Sequence, residues 1–194
     1  MAEALRLARK GLYTTDPNPR VGCVIADGGQ VSGRGWHQQA GGPHAEIAAL
    51  HDANRSVRGQ TAYVTLEPCS HHGRTPPCVG ALLEAGIARV VVAVPDPNPA
   101  VAGEGLGRLR ESGVDVQTGL MANEAEALNC GFLTRMRTGR PWVRVKSAIS
   151  LDGRSALRSG ESQWISGEAS RRDVQHWRAR SSVILTGIGT VLAD

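Results

Sequence analysis

Short apolar runs alternate with segments of helical periodicity along the first 140 or so positions of the chain. The run Val21–Gly35 predicts a β-hairpin that turns through Asp27-Gly28-Gly29, because two strand-like arms flank a turn sequence. Further strands are predicted at Thr61–Leu66, Ala88–Val94 and Val114–Val116, and helices at Met1–Gly11, His44–Ala53, Val79–Gly86, Leu106–Ser112 and Ala122–Gly139. This alternation is typical of an α/β fold.

A second pattern begins after Pro141. It predicts a strand at Trp142–Ser150, a turn at Asp152-Gly153, a helix at Gly167–Ser181 and a strand at Ser182–Gly187. Single domains typically run to about 100–150 residues, so this segment holds too few elements to close its own core. We therefore predict a complete domain at 1–141 and the incomplete opening of a second at 142–194.

Composition narrows the class of protein. Hydrophobic residues make up 41% of the chain and charged residues 21%, which is typical of a globular protein. No apolar run approaches membrane-spanning length, and the charged N-terminal helix does not resemble a signal peptide. We therefore expect a cytoplasmic protein whose four cysteines are thiols or metal ligands. The net charge of +4 suits a phosphorylated small substrate, and no basic run with interleaved aromatic residues favours nucleic acid; we expect neither nucleic acid nor membrane as partner.

One constellation carries candidate chemistry. His44 and Glu46 open a predicted helix, Cys69 follows a predicted strand, and Cys78 opens the next helix. One imidazole and two thiolates satisfy zinc and leave a fourth position for water, to which Glu46 could carry protons. The order H-x-E followed by P-C and a second Cys is the signature of zinc-dependent nucleobase deaminases, although eight residues separate the cysteines here where the general pattern has two.

Other interpretations of these residues remain open. Cys69 and Cys78 could form a disulfide in an oxidising compartment, or His71 or His72 could complete a closed structural zinc site. The simpler interpretation of the two histidines is that they pack or hydrogen-bond in the loop. Cys23 and Cys130 lie in apolar patterns typical of buried thiols.

Seven segments in this order resemble the bifunctional riboflavin biosynthesis proteins, which fuse a pyrimidine deaminase to an NADPH-dependent reductase. They are NPRVGCVI, PHAE, TLEPCSHHGRTPPC, DPNPAVAGEG, GFLTRMRTGRP, SLDGR and GESQWIS, and the resemblance runs from about Leu5 to Asp194. It implies a cytidine-deaminase-like three-layer α/β/α domain with a mixed sheet, followed by the start of a dihydrofolate-reductase-like domain. It also implies Zn²⁺, NADPH for the reductase part, a phosphorylated pyrimidine substrate and a homo-oligomer.

The resemblance assigns roles to particular residues. His44, Cys69 and Cys78 match the zinc ligands, and Glu46 the proton shuttle. Substrate contacts of the deaminase match Asn18, His37, Arg74 and Thr75. In the reductase part, Lys146 matches a catalytic residue, Ser162 and Arg178 match substrate contacts, and the NADPH contacts match Ala148, Trp164, Thr190 and Asp194. Taken alone, Asn18 would be a turn asparagine, His37 a loop histidine, and Arg74 and Thr75 a solvated pair. Trp164 would be a core aromatic residue and Arg178 a surface charge.

Hydrolytic deamination of the ribosylamino-pyrimidinone phosphate in riboflavin biosynthesis is the function that these assignments imply. One alternative is a deaminase of cytidine, guanine or tRNA adenosine, against which the long loop between the cysteines and the reductase-like tail argue. A less favoured alternative is a binding module stabilised by structural zinc. Since the reductase part is incomplete, we do not expect reduction by this segment alone.

Overall fold

The computed structural model describes residues 1–71, 76–98 and 101–193. Its sheet has five strands in the order β2-β1-β3-β4-β5. These strands are β1 (Gly22–Asp27), β2 (Gln30–Trp36), β3 (Thr61–Leu66), β4 (Arg89–Val94) and β5 (Asp115–Thr118). The hairpin β1–β2 is antiparallel and β1 pairs antiparallel with β3, whereas β3, β4 and β5 run parallel. The predicted α/β class with a mixed sheet is confirmed.

The hairpin turn follows from its two glycines. Gly28 and Gly29 have φ of 52° and 92°. Two successive residues at positive φ make the kind of tight turn whose twist matches that of the flanking strands. Asp27 therefore pairs directly with Gln30 across the turn.

Eight α-helices surround or follow the sheet in the described part of the chain. They are α1 (Ala2–Ala8), α2 (Ala45–Asp52), α3 (Cys78–Glu84), α4 (Glu104–Glu111), α5 (Ala122–Leu128), α6 (Cys130–Thr138), α7 (Glu168–Ala179) and α8 (Ile188–Ala193). A short 3-10 turn at Arg9–Gly11 extends α1. The helix predicted at Ala122–Gly139 is wrong in one respect, because Asn129 interrupts it with φ of −114° and ψ of 21°.

Apolar side chains of alternate strand residues build two cores, one on each face of the sheet. Cys23, Ile25, Val90 and Val92 pack with α2, α3 and α4 on one face. Ala93 and its neighbours pack with α1, α5 and α6 on the other, and Val24 packs on α1. Because side chains alternate between the faces of a strand, this separation makes three layers, α/β/α.

The chain divides into two compact units, Met1–Trp142 and Val143–Asp194. In the second unit the strands predicted at Trp142–Ser150 and Ser182–Gly187 are wrong, since neither segment forms a ladder among the described residues. A strand requires a hydrogen-bonded neighbour, and apolar composition alone does not supply one. The helix predicted at Gly167–Ser181 is confirmed as α7. The guanidinium groups of Arg144 and Arg180 lie 3.8 and 4.6 Å from the ring centre of Trp177 in this helix.

Within the part of the chain that the structure describes, no helix combines the length and the apolar character needed to cross a membrane.

Candidate metal centre

His44 and Glu46 lie at the N-terminal end of α2, the helix that packs across β2 and β1. His44 is the residue before the first helical turn, and its backbone is extended, with φ of −73° and ψ of 162°. Glu46 is in the first turn and is only 3% exposed. The imidazole of His44 and the buried carboxyl of Glu46 therefore both lie at the N-terminal end of α2.

Cys69 and Cys78 reach the same place from two other elements. Cys69 follows the end of β3, and Cys78 is the first residue of α3. The backbone N–H of Cys78 donates to Cys69 Sγ at 3.4 Å, and Val79 N–H donates to the Cys69 carbonyl at 3.2 Å. These bonds bring the two cysteines together although eight residues separate them in sequence.

The three donor atoms meet at one point. His44 Nδ1 lies 3.5 Å from Cys69 Sγ and 3.3 Å from Cys78 Sγ, and all three atoms lie within 4.8 Å of one another. With zinc–nitrogen and zinc–sulfur bonds of about 2.0 and 2.3 Å, tetrahedral coordination places nitrogen and sulfur about 3.5 Å apart. The spacing of these atoms therefore fits one zinc ion. Both cysteines are free thiols in the structure, which argues against the disulfide alternative.

The protonation of the two thiols gives a second test of the fit. Hydrogen bonding from Cys78, and then from His44, lowers the pKa of Cys69 to about 4. The same bond to Cys69, together with burial, raises the pKa of Cys78 above its usual range. Two adjacent sulfurs thus share one proton, because two thiolates side by side repel each other. A divalent cation at their meeting point would replace that proton and stabilise both thiolates.

The protonation states of His44 and Glu46 depend on the two cysteine thiols. The hydrogen bond to Cys69 raises the pKa of His44 despite its burial. Burial raises the pKa of Glu46 to about 7, and its carboxyl hydrogen-bonds the Cys78 thiol. A cation held by the sulfurs would act against burial and favour the carboxylate form of Glu46.

His37 packs against His44, one of the three candidate metal ligands, and Asn18 hydrogen-bonds to His37. His37 is 3% exposed, and its ring meets that of His44 edge to face, with 5.6 Å between centroids. Its Nδ1 donates to the Pro43 carbonyl at 2.9 Å, so Nε2 is the acceptor and receives the Asn18 Nδ2–H at 3.0 Å. Burial lowers the pKa of His37, which favours this neutral tautomer.

A cavity of about 220 Å³ opens onto these groups. Its lining includes Asn18, His37, His44, Glu46 and Cys69, together with His71. The structure thus brings together most of the residues predicted for the deaminase site. Arg74 and Thr75, predicted to contact the sugar phosphate, lie outside the described residues, as does His72.

The same cavity is lined by residues that sequence reasoning missed, namely Asp96, Asn98 and Phe132. Asp96 follows the carboxyl end of β4 just as Cys69 follows that of β3, and β3 and β4 are parallel neighbours. Binding sites of parallel sheets lie at the carboxyl ends of strands, which is a signal that could have found Asp96. Burial raises the pKa of Asp96. Phe132 is contributed by α6, and its position in an apolar helical stripe indicates packing and does not indicate a cavity.

The residues predicted for the reductase part are not gathered into a buried site. Ala148 is half-buried, Asp194 lies outside the described residues, and the others are exposed, namely Lys146, Ser162, Trp164, Arg178 and Thr190. The Arg171 guanidinium lies 4.3 Å from the Trp164 ring centre, so this tryptophan has a cationic neighbour within its own unit.

Comparisons with known families agree with both parts of the chain. Residues 1–94 match the cytidine and deoxycytidylate deaminase zinc-binding region, and residues 141–194 match the RibD C-terminal domain. Both the fold class of the first domain and the opening of the second are thereby confirmed.

Individual relatives match the whole chain. Riboflavin biosynthesis protein RibD of Escherichia coli strain K12 is 61% identical over 194 residues, which are 100% of this chain and 53% of that protein. The structure of Acinetobacter baumannii RibD, form 1, has a TM-score of 0.94 at 56% identity, covering 100% of this chain and 54% of that one. A diaminohydroxyphosphoribosylaminopyrimidine deaminase/5-amino-6-(5-phosphoribosylamino)uracil reductase from Thermotoga maritima has a TM-score of 0.94 at 42% identity, covering 100% and 56%. The chain spans about half the length of the curated relatives it matches.

Proposed function

Because the chain belongs to the family of riboflavin biosynthesis protein RibD, we propose that its first domain catalyses the hydrolytic deamination of a phosphorylated diaminopyrimidine. The observation that carries the proposal is the meeting of His44 Nδ1 and two cysteine sulfurs beside the buried carboxyl of Glu46. His44, Cys69 and Cys78 would hold zinc. A zinc ion bound there would supply the Lewis acidity that makes a water nucleophilic near neutral pH.

Glu46 is the group that moves protons. Its carboxylate takes the two protons of the attacking water one after the other, giving the first to a ring nitrogen and the second to the departing amine. A C–O bond forms, the C–N bond breaks, and water plus the amino-pyrimidine become the keto-pyrimidine and ammonia. Burial excludes solvent from this carboxyl and raises its pKa, whereas a bound cation would lower that pKa, and the balance of the two suits a group that both accepts and donates protons.

The substrate is held by the rest of the cavity lining. The Asn18 amide, fixed by its bond to His37, offers an oxygen to a ring substituent that carries N–H groups. Asp96 and Asn98 add further polar groups to the same cavity. Arg74 and Thr75 stay our candidates for the phosphate, since a guanidinium pairs well with phosphate oxygens.

We further propose that the deaminase domain spans 1–141 and that 142–194 is the start of a reductase domain, supported by the separate compact unit Val143–Asp194 and by the match at 141–194. Lys146, Ser162 and Arg178 for substrate, and Ala148, Trp164, Thr190 and Asp194 for NADPH, stay predictions for that domain. A homo-oligomer, and the lack of nucleic-acid and membrane partners, are predictions too. The need for two reduced sulfurs at the metal favours a reducing compartment such as the cytoplasm.

The variant Glu46→Gln tests the proposed role of Glu46. We expect it to retain one zinc per chain by atomic absorption, because no ligand is changed. Ammonia release should fall by about 100-fold to 10,000-fold, since the amide cannot carry the proton. Glu84→Gln, an exposed glutamate on α3, is the matched control and should keep normal activity. Normal turnover in Glu46→Gln would remove the proton-shuttle role.

The identity of the substrate is tested by measuring ammonia release from four compounds: the phosphorylated diaminopyrimidine, cytidine, guanine, and a tRNA anticodon stem-loop with adenosine at the wobble position. We expect turnover of the pyrimidine phosphate alone. Faster turnover of a free base, a nucleoside or the RNA would move the proposal to the alternative deaminases. Zinc without turnover of any of the four would favour the binding module.

A further inference from the structure

Asn129 is a buried amide, 1% exposed, at the break between α5 and α6. Its side chain pairs with both backbone groups of Arg20, 109 positions earlier. Arg20 N–H donates to Asn129 Oδ1 at 2.8 Å, and Asn129 Nδ2–H donates to the Arg20 carbonyl at 2.9 Å. The Asn129 side chain therefore makes the two hydrogen bonds with Arg20 that a neighbouring β-strand would make. This requires one donor and one acceptor side by side at this distance from the helix, which the asparagine amide provides.

The segment that Asn129 holds carries part of the cavity lining. Asn18, Pro19 and Val21 all line the cavity, and Arg20 lies among them. The segment precedes β1 and lies outside the ladders that β1 forms with β2 and β3. On either side, Asn18 N–H donates to the Thr15 carbonyl at 2.7 Å and the Val21 carbonyl accepts from His37 N–H at 2.9 Å.

The orientation of Asn18 depends on where this segment lies. The Asn18 Nδ2–H donates to His37 Nε2, and His37 is itself held through Nδ1 by the Pro43 carbonyl next to His44. With Nδ2 turned to the histidine, the acceptor that Asn18 can offer to a substrate is Oδ1. A movement of the segment by about 1 Å would break the hydrogen bond between Asn18 and His37. Misplacement of a substrate-binding group by that distance can lower the reaction rate about 100-fold.

We propose that Asn129 is a positioning residue that places the Asn18 amide in the cavity by clamping the backbone of Arg20; this rests on the proposed function only in treating Asn18 as a substrate contact. Asn129 is not among the cavity-lining residues, so it acts through the segment and not on the substrate. The same break in the helix brings Phe132, three residues later, to the cavity. The break between α5 and α6 therefore positions two parts of the cavity lining, the segment around Arg20 and Phe132.

The first test needs no substrate. In zinc-loaded protein, the ¹⁵N resonance of His37 Nε2 reports the hydrogen bond from Asn18. We expect Asn129→Ala and Asn18→Ala to shift this resonance in the same direction. Asn123→Ala, which removes an exposed asparagine from α5, is the matched control and should leave it in place. An unshifted Nε2 resonance in Asn129→Ala would overturn the proposal.

The second test is a double-mutant cycle on deamination. We expect Asn129→Ala to lower kcat/KM by about 10-fold to 100-fold through a higher KM. If Asn129 acts through Asn18, the double variant should be no worse than Asn18→Ala alone, whereas additive losses would contradict the proposal. If the wild type released no ammonia from the pyrimidine phosphate, the proposed function would fail, and the resonance test would still decide the positioning role.

Asn129→Asp separates positioning from folding. It keeps the acceptor for Arg20 N–H and places an oxygen against the Arg20 carbonyl, so one of the two bonds is lost. We expect a folded protein with an intermediate shift of the Nε2 resonance. If Asn129→Ala and Asn129→Asp both failed to fold, Asn129 would be a residue of the fold and the positioning proposal would be overturned.

Discussion

Glu67 is a buried carboxyl, 5% exposed, two residues before Cys69. One oxygen accepts the backbone N–H groups of Asp96 and Gly103, at 3.0 and 3.2 Å. The other accepts those of Gly105 and Leu106 in the first turn of α4, at 3.1 and 3.3 Å. A single side chain thus satisfies backbone donors at the N-terminus of α4 and links the segment after β3, which carries Cys69, to the loop that carries Asp96.

We predict that Glu67→Gln destabilises the protein. The amide nitrogen would be a donor facing backbone donors, so at least two buried N–H groups would lose their acceptor. Leaving such groups unsatisfied costs about 1–3 kcal/mol in the free energy of unfolding. Urea unfolding of the zinc-loaded protein measures this cost.

The control for Glu67→Gln is Glu111→Gln, which changes an exposed glutamate at the C-terminal end of α4. Surface substitutions of this kind change stability by less than about 0.5 kcal/mol. Equal midpoints for the two variants would show that the four bonds of Glu67 contribute nothing net.

The sequence indicated which residues are candidates for the chemistry but not which contacts hold them in place. His44, Glu46, Cys69 and Cys78 belong to a pattern whose spacing reflects the chemistry of zinc. Glu67 and Asn129 carry no such mark, because their partners lie 29 to 39 and 109 positions away. Those contacts exist only once the sheet has brought distant segments together.

The contact between β2 and α2 fixes the position of His44, a candidate metal ligand at the start of α2. A Cβ built on Gly35 would lie 2.1 Å from the Ala45 carbonyl oxygen and 2.3 Å from Ala49 N. A Cβ on Gly33 would lie 2.2 Å from the Ala49 carbonyl oxygen. The helix therefore lies directly on the strand backbone, and both glycines are needed for this close approach.

We predict that Gly35→Ala displaces α2 and weakens the zinc site. The added methyl group meets backbone atoms, which cannot move aside as a flexible side chain can. Overpacking of this kind costs about 1–3 kcal/mol or more in stability. A competition titration with a chromophoric zinc chelator should show weaker binding, and the thermal midpoint should fall.

Gly107→Ala in α4 is the matched control, since a Cβ there meets nothing within 4 Å. Alanine favours a helix over glycine by about 1 kcal/mol, so this variant should be as stable as the wild type or more so. Wild-type zinc affinity and thermal midpoint in Gly35→Ala would contradict the proposed role of this contact.

Periodicity predicted every strand of the sheet but could not place every boundary. The apolar stripe continues through Leu128, Phe132 and Met136, so the pattern indicates one helix where the structure has two. The break depends on Asn129, whose side chain is used by Arg20. Similarly, the apolar runs at Trp142–Ser150 and Ser182–Gly187 have the composition of strands, and composition does not supply the neighbour that a strand requires.

For the whole molecule, burial is divided unevenly between the two units. All five strands and the three apolar clusters lie within Met1–Trp142. Among the described residues 143–192, none is buried, and several large apolar side chains are strongly exposed, including Val145 at 87% and Leu185 at 98%. Since burial of apolar surface is the main favourable term in folding, the first unit holds nearly all of the stability of this chain.

We therefore predict that a fragment of residues 1–142 folds alone, binds one zinc and retains the thermal midpoint of the whole chain. A fragment of residues 143–194 should show no cooperative unfolding transition, because α7 buries no residue and so lacks the packing that stabilises most protein helices. Circular dichroism with thermal melting tests both fragments, and zinc analysis tests the first. The prediction would be contradicted if the fragment 1–142 bound no zinc or if the fragment 143–194 melted cooperatively. Either result would show that stability is shared between the two units.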